Sequence, residues 1–214
     1  MKRSPEDWEQ DCIAESRNGR PDRFRPLVAT YAPKVRAICL RMVGNWHAAE
    51  DLAQQSLVDA FFKLNQFHID RPFWPWLCRI TVNNCKDYLK SKKRTEIPSV
   101  QTFDQEAALF FHAHEDPQQA AEHGERRAVL ERALAELPEH YRIVVVLKDI
   151  EGLSYDEIQS VLDLPVTTLK IRAVRARRKL AARLRAESPG QSDRDERNEH
   201  KPLRHRTGSK GIVP

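Results

Sequence analysis

The chain has 214 residues, 40% hydrophobic and 31% charged, with seven Gly against 13 Pro, which excludes collagen-like repeats and a glycine-rich β architecture. Its 36 Lys and Arg against 31 Asp and Glu give a net charge of +5, too small to define a partner, so distribution matters more than the sum. A charged N-terminus without an apolar signal core, and the lack of any run of 18 apolar residues, predict a soluble cytoplasmic protein with no membrane insertion.

A short helix is predicted around Asp7 to Arg17. From Asp22 to about Val43, Phe24, Leu27, Val28, Tyr31, Val35, Ile38 and Met42 recur at three-and-four spacing, an amphipathic helix that Gly44-Asn45 ends. The next helix turns Ala49, Leu52, Ala53, Leu57, Ala60, Phe61 and Leu64 inward and Glu50, Asp51, Gln54, Gln55 and Asp59 outward. After a break over Phe67 to Pro72, a third runs from Phe73 to about Lys93 and closes on Lys90, Lys92, Lys93 and Arg94, cations that complement a helix C-terminus. Short connections make residues 8–95 a three- to four-helix bundle.

Periodicity fails over 96–125, where seven acids stand without one Lys or Arg; this reads as an acidic linker. It resumes near Arg126, and Pro138 starts a further helix carrying Tyr141, Val144, Val145 and Leu147. Residues 126–185 form a second small helical domain, so two modest cores are expected. Residues 186–214 carry almost no apolar side chains and read as a disordered tail. Cys12, Cys39, Cys78 and Cys85 form no C-x-x-C pair, and along one helix Cys78 and Cys85 would lie about 10.5 Å apart, beyond disulfide reach; they read as reduced core thiols.

Within the second domain, Ser154-Tyr-Asp-Glu157 is a capping box that starts a short helix with Ile158, Val161 and Leu162 inward. Asp163-Leu-Pro165 stops it and a long helix follows, the helix-turn-helix arrangement. That helix, Val166 to Arg185, carries eight cations and no acid. At 100° per residue, Val166, Leu169, Ala173, Ala176, Leu180 and Leu184 make one core stripe, leaving Thr167, Ile171, Val174, Arg175 and Arg178 outward. A surface helix built only for solubility would not expose Ile171 and Val174. A major-groove reader sets such residues against thymine methyls while Arg175 reaches guanine O6 and N7.

In the first domain, Arg79, Asn83, Lys86 and Lys90 form a narrow stripe at i, i+4, i+7 and i+11 between two packed faces. Cations and an amide beside the aromatic segment Phe67 to Trp76 suit a single strand, although Phe73 and Trp76 themselves read as core.

The run Phe73-Trp-Pro-Trp-Leu-Cys-Arg-Ile-Thr-Val-Asn-Asn-Cys-Lys-Asp-Tyr-Leu89, with Ala49-Glu-Asp-Leu-Ala-Gln-Gln-Ser-Leu57 before it and Leu137-Pro-Glu and Gly152-Leu-Ser-Tyr-Asp-Glu-Ile158 after it, resembles the extracytoplasmic-function (ECF) sigma factors of bacterial RNA polymerase. The resemblance covers roughly Asp11 to Arg185. It implies an all-α protein whose first domain, like sigma region 2, binds core polymerase and melts the minus-ten element. The second, like region 4, reads the minus-thirty-five element. Asp51, Leu52, Gln54 and Gln55 fall in the segment the family sets against the β′ subunit. Asn83, with the loop Phe67 to Pro72, falls where a flipped non-template base is captured, and the stripe Arg79, Asn83, Lys86 and Lys90 is assigned to the downstream element. Thr168, Lys170, Ile171, Arg172, Val174, Arg175 and Arg178 fall on the upstream-reading helix. The implied partners are core polymerase (β and β′), promoter DNA and an anti-sigma factor. The implied setting is the stress response. Gln55, Thr167 and Ile171 depart from the family's usual Glu, Gly and Ser.

The rival class is a stand-alone two-domain helix-turn-helix regulator, which would bind an operator without polymerase. An enzyme is not expected. His112, His114, Glu115 and His123 lack the paired helical spacing of a metal site, and there is no Gly-rich phosphate loop and no nucleophile with a positioned base. No cofactor, metal or catalytic residue is assigned.

Overall fold

A computed structural model describes residues 7–95 and 127–187. The first half contains α1 (Asp7–Arg17), α2 (Arg25–Val43), α3 (Trp46–Phe62) and α4 (Phe73–Thr95). The helix expected from Asp22 instead opens with a separate 3-10 turn over Pro21–Phe24, and α2 begins at Arg25. Two prolines explain the division: Pro21 and Pro26 both lack an N–H and each occupies a first turn, where that donor is unneeded. Gly44 then takes φ +71° and donates its N–H to the Leu40 carbonyl at 2.8 Å. Asn45 Oδ1 accepts from the Ala48 N–H at 2.9 Å and caps α3, so two residues reverse the chain. A second 3-10 turn, Leu64–Gln66, leads from α3 into the loop before α4.

The second half contains α5 over 127–135, α6 (Glu139–Val145), α7 (Tyr155–Leu162) and α8 (Val166–Glu187). The capping box forms as expected: Ser154 Oγ accepts from the Glu157 N–H at 3.2 Å, and the Ser154 N–H donates to Glu157 Oε2 at 2.7 Å. Asp163, at φ 55°, ends α7 in the left-handed conformation and turns the chain into α8. One feature was not anticipated. α6 passes into a wide π turn, Val146–Ile150, which brings the Glu151 and Leu153 N–H groups to the Val146 and Leu147 carbonyls.

The two helical domains do not keep two separate cores. One contiguous apolar cluster takes Leu27, Ile38, Met42, Leu77 and Cys85 from the first half and Val144, Leu147, Ile158, Val161 and Leu169 from the second. Only a small satellite, Leu134, Leu137, Val145 and Ala176, stands apart among the described residues. The correction has a direct cause: α7 lies against α4 as well as α8, so its apolar side chains serve both domains. Cys12, Cys39, Cys78 and Cys85 are free and buried, and burial pushes the Cys78 thiol well up. The tail expected from residue 186 begins as the last two residues of α8, Ala186 and Glu187; the rest of it, with the acidic linker and its histidines, lies outside the described residues.

Candidate nucleic-acid interface

α8 distributes its side chains as the helical wheel requires. Leu169, Ala173 and Ala176 are buried, while Lys170, Ile171, Val174, Arg175 and Arg178 are exposed. Ile171 and Val174 expose 52% and 64% of their surface, an apolar pair held outward by the buried Leu169, Ala173 and Ala176 opposite. Thr168 and Arg172 are half-buried, and with Ile171 and Arg175 they line a hollow of about 280 Å³ whose far wall is His140 and Tyr141 of α6. Two of the eight cations serve the domain itself. Arg177 grips Asp149 at 2.6 and 2.9 Å, and Arg183 pairs with Glu136 at 2.8 Å. The outward set is thus a short row of apolar and cationic groups on a braced helix.

α4 presents Arg79, Asn83, Lys86 and Lys90 along one face, but unequally. Asn83 and Lys90 are exposed, and Lys90 pairs with Asp87 at 3.2 Å. Arg79 donates to the Ser160 carbonyl of α7 at 3.1 Å. Lys86 is half-buried; burial lowers its ammonium pKa, Glu139 opposes that, and Lys90 and Arg172 reinforce it. The second domain therefore touches the stripe at Arg79, which stays exposed, and Arg172 of α8 bears on half-buried Lys86. Phe73 is core, packed edge-on to Phe67 at 5.5 Å, whereas Trp76 is only partly buried. The loop from Phe67 to Pro72 separates two cavities of about 310 and 340 Å³, and Arg71 lines both.

α3 exposes Asp51, Gln54 and Gln55, while Leu52 leans on the core. Gln54 and Gln55 donate to Glu50 at 3.3 Å and Asp59 at 2.7 Å. The expected set omitted Val58 and Phe62, which stand 47% and 76% exposed on the same face as Asp51 and Gln55. Phe62 lies 100° from Phe61 on the helix and shares the outward face of Asp51, Gln55 and Val58, at i, i+4, i+7 and i+11. Phe61 goes inward, 5.3 Å from Phe24, and leaves Phe62 outside.

Where the domains meet, three charged residues are buried that the sequence pattern did not single out. Arg41 Nε and Nη2 donate to the Glu131 carboxylate at 2.8 to 3.2 Å, with the two residues 7% and 2% exposed. Arg142 donates to the carbonyls of Arg41 and Met42 at 3.1 and 3.0 Å and to those of Ala135 and Leu137 at 2.9 and 3.0 Å. One guanidinium thus serves the C-terminal ends of α2 and α5 together, satisfying carbonyls that a helix end leaves free. Burial holds the Arg142 pKa below its ordinary value.

A braced helix-turn-helix joined to a helical bundle with a cationic, amide-bearing face defines a DNA-binding transcription protein. Family comparisons narrow the class: residues 27–95 match Sigma-70 region 2 and residues 127–180 match Sigma-70, region 4. The chain is 34% identical over 177 residues to the ECF RNA polymerase sigma factor SigW of Bacillus subtilis, covering 81% of this chain and 95% of that protein. It also superposes on CnrH, solved in complex with the cytosolic domain of CnrY, with a TM-score of 0.60 and 29% identity over 85% of this chain and 99% of that one. A Bartonella quintana sigma factor RpoE, solved with the anti-sigma factor NepR, gives the same TM-score at 22% identity, over 76% of this chain and 96% of that one, a likeness of fold. The chain belongs to the ECF RNA polymerase sigma factors. It directs promoter-specific transcription initiation as a sigma factor, a family that is not an enzyme family. The stand-alone regulator is not favoured, because both halves match sigma regions.

Proposed function

We propose that residues 8–95 hold the polymerase-binding and minus-ten functions, that 126–185 read the minus-thirty-five element, and that three side-chain groups divide the work. Thr168, Lys170, Ile171, Arg172, Val174, Arg175 and Arg178 read the upstream duplex. Ile171 and Val174 meet thymine methyls, Arg175 takes a guanine edge, and the remaining cations hold phosphates. Arg79, Asn83, Lys86 and Lys90 hold the melted downstream strand, with the Phe67 to Pro72 loop receiving an extruded base. Asp51, Leu52, Gln54 and Gln55, extended by Val58 and Phe62, dock on β′. The observation that carries this reading is the outward apolar and cationic row on α8, which packing forces outward and solubility does not require.

The two DNA elements lie about 25 base pairs apart, roughly 85 Å at 3.4 Å per pair. A molecule whose α7 packs on α4 and accepts a hydrogen bond from Arg79 cannot span that distance, so promoter engagement separates the domains. The closed arrangement is the form suited to capture by an anti-sigma factor, the kind of partner with which the Bartonella relative was solved. The chain acts in the cytoplasm alongside polymerase and catalyses no reaction of its own. Among the described residues no helix is long and apolar enough to cross a membrane.

Run-off transcription with purified core polymerase on a randomised promoter library tests the assignment. Transcripts that depend on both the chain and core, and that share two spaced elements, are expected. Specific operator binding without stimulation of transcription would overturn it.

A further inference from the structure

We propose that Arg17 is a positioning residue for promoter melting. It locks the loop between α3 and α4 in its base-receiving shape without touching DNA itself; this rests on the reading of that loop given above. Arg17 stands in the last turn of α1, far in sequence from the loop, and its guanidinium enters the loop's base. Nε and Nη2 donate to the Leu64 carbonyl at 3.0 and 2.6 Å, and Nη2 also donates to the Phe67 carbonyl. The same group lies 5.9 Å over the Phe67 ring. Phe67 in turn packs against Phe73 and Trp76 at 5.5 and 5.2 Å.

These carbonyls belong to the 3-10 turn Leu64–Gln66 and the residue after it; the Leu64 carbonyl also accepts the Phe67 N–H at 3.1 Å, so Arg17 adds to a bond that already closes the turn. A planar fork with several donors can satisfy two of them at once and still stack on a ring; an ammonium presents the charge without that geometry. Beyond the clamp, His68, Ile69, Asp70 and Arg71 are exposed, and Gln10 of α1 holds the Ile69 carbonyl at 3.4 Å. The clamp is therefore at the loop's root and the exposed tip lies between the two cavities. Without it, the receptive loop becomes one conformer among several, and apparent affinity for an extruded base falls by the fraction lost.

The test is open-complex formation by the full chain with core polymerase, on a promoter carrying 2-aminopurine at each non-template position of the downstream element in turn. Fluorescence reports the unstacked base. Arg17→Ala and Arg17→Lys should each lower the signal, and the affinity for a single-stranded downstream oligonucleotide, by about tenfold. Core affinity and upstream duplex binding should stay within about twofold, as should all readouts for Arg20→Ala, whose exposed side chain pairs with Glu15 at 2.7 Å. Arg71→Ala probes the loop, and Arg17→Ala added to it should cost little more, since both act on one capture step. Wild-type behaviour of Arg17→Lys would make Arg17 a phosphate contact and overturn the proposal. So would a parallel loss of core binding, which would mark a general structural role. If Arg71→Ala loses the signal while Arg17→Ala keeps it, the clamp is refuted and the loop's role stands. If both variants keep it, the loop reading itself fails and takes the clamp with it.

Discussion

Arg41 and Glu131, 90 positions apart, form a buried ion pair with three donor contacts of 2.8 to 3.2 Å where the two domains join. Such a pair is a poor source of net stability, since two desolvated charges cost about what their attraction returns, yet removing Glu131 leaves buried Arg41 facing Glu151 at the longer distance of 3.9 Å. That asymmetry makes it a latch that holds firmly while closed and favours separation once either charge regains water.

Glu131→Ala should therefore cost about 3–5 kcal/mol at the interface. Domain separation, rather than loss of helix, is the outcome expected. Small-angle scattering should show a larger radius of gyration at unchanged circular dichroism. The combined change Arg41→Met with Glu131→Leu should restore the compact profile. A Glu131→Ala profile identical to the parent would show that the pair holds nothing together.

Phe62 is 76% exposed, so Phe62→Asp should leave stability within about 0.5 kcal/mol of the parent. An aromatic anchor at a protein interface commonly carries 2 kcal/mol or more, so affinity for core polymerase should fall more than about tenfold. Fluorescence anisotropy with labelled chain measures the loss. Unchanged affinity would place the docking face elsewhere.

Arg175→Ala should weaken upstream-element binding by about 1–3 kcal/mol and relax preference at one base pair, as removal of a bidentate guanine contact does. Selection from randomised duplexes reads both effects. A loss equal on every sequence would make Arg175 a phosphate contact.

Glu151 supplies a pH dependence. Burial raises its carboxyl pKa, and Arg41 and Lys34 only partly offset the rise. The folded state thus binds this proton more readily than the unfolded state. Its contribution is fully present below the unfolded carboxyl value and is lost as pH rises through the folded one. Glu151→Gln, which stays neutral, should raise the melting temperature more at near-neutral pH than in mild acid. An equal shift at both would rule the titration out.

Much of the fold was legible because its signals are local. The capping box at Ser154 and Glu157, the stop at Asp163, the Gly44-Asn45 reversal and the wheel of α8 each lie within a few residues of one another. Gln54, Gln55, Arg79 and Asn83 fell on their expected faces for the same reason. The periodicity turned Phe61 inward, as found, but the same face reading did not single out Val58 and Phe62, which stand exposed beside Asp51 and Gln55. The π turn at Val146–Ile150 had no signal of its own, since an apolar run fits an α-helix equally well.

The sequence by itself determined the helices, the outward face of α8 and the family, because periodicity, caps and motifs are properties of neighbouring residues. Tertiary structure alone decided what Arg17, Arg41, Glu131 and Arg142 do, since in the chain each is one charge among many. Their partners lie from several to more than a hundred positions away, and a guanidinium acquires its role only when packing strips its water and leaves particular carbonyls or a carboxylate in reach. The same packing merged the apolar surfaces of two domains into one continuous core and set Arg172 of α8 within electrostatic reach of Lys86 of α4.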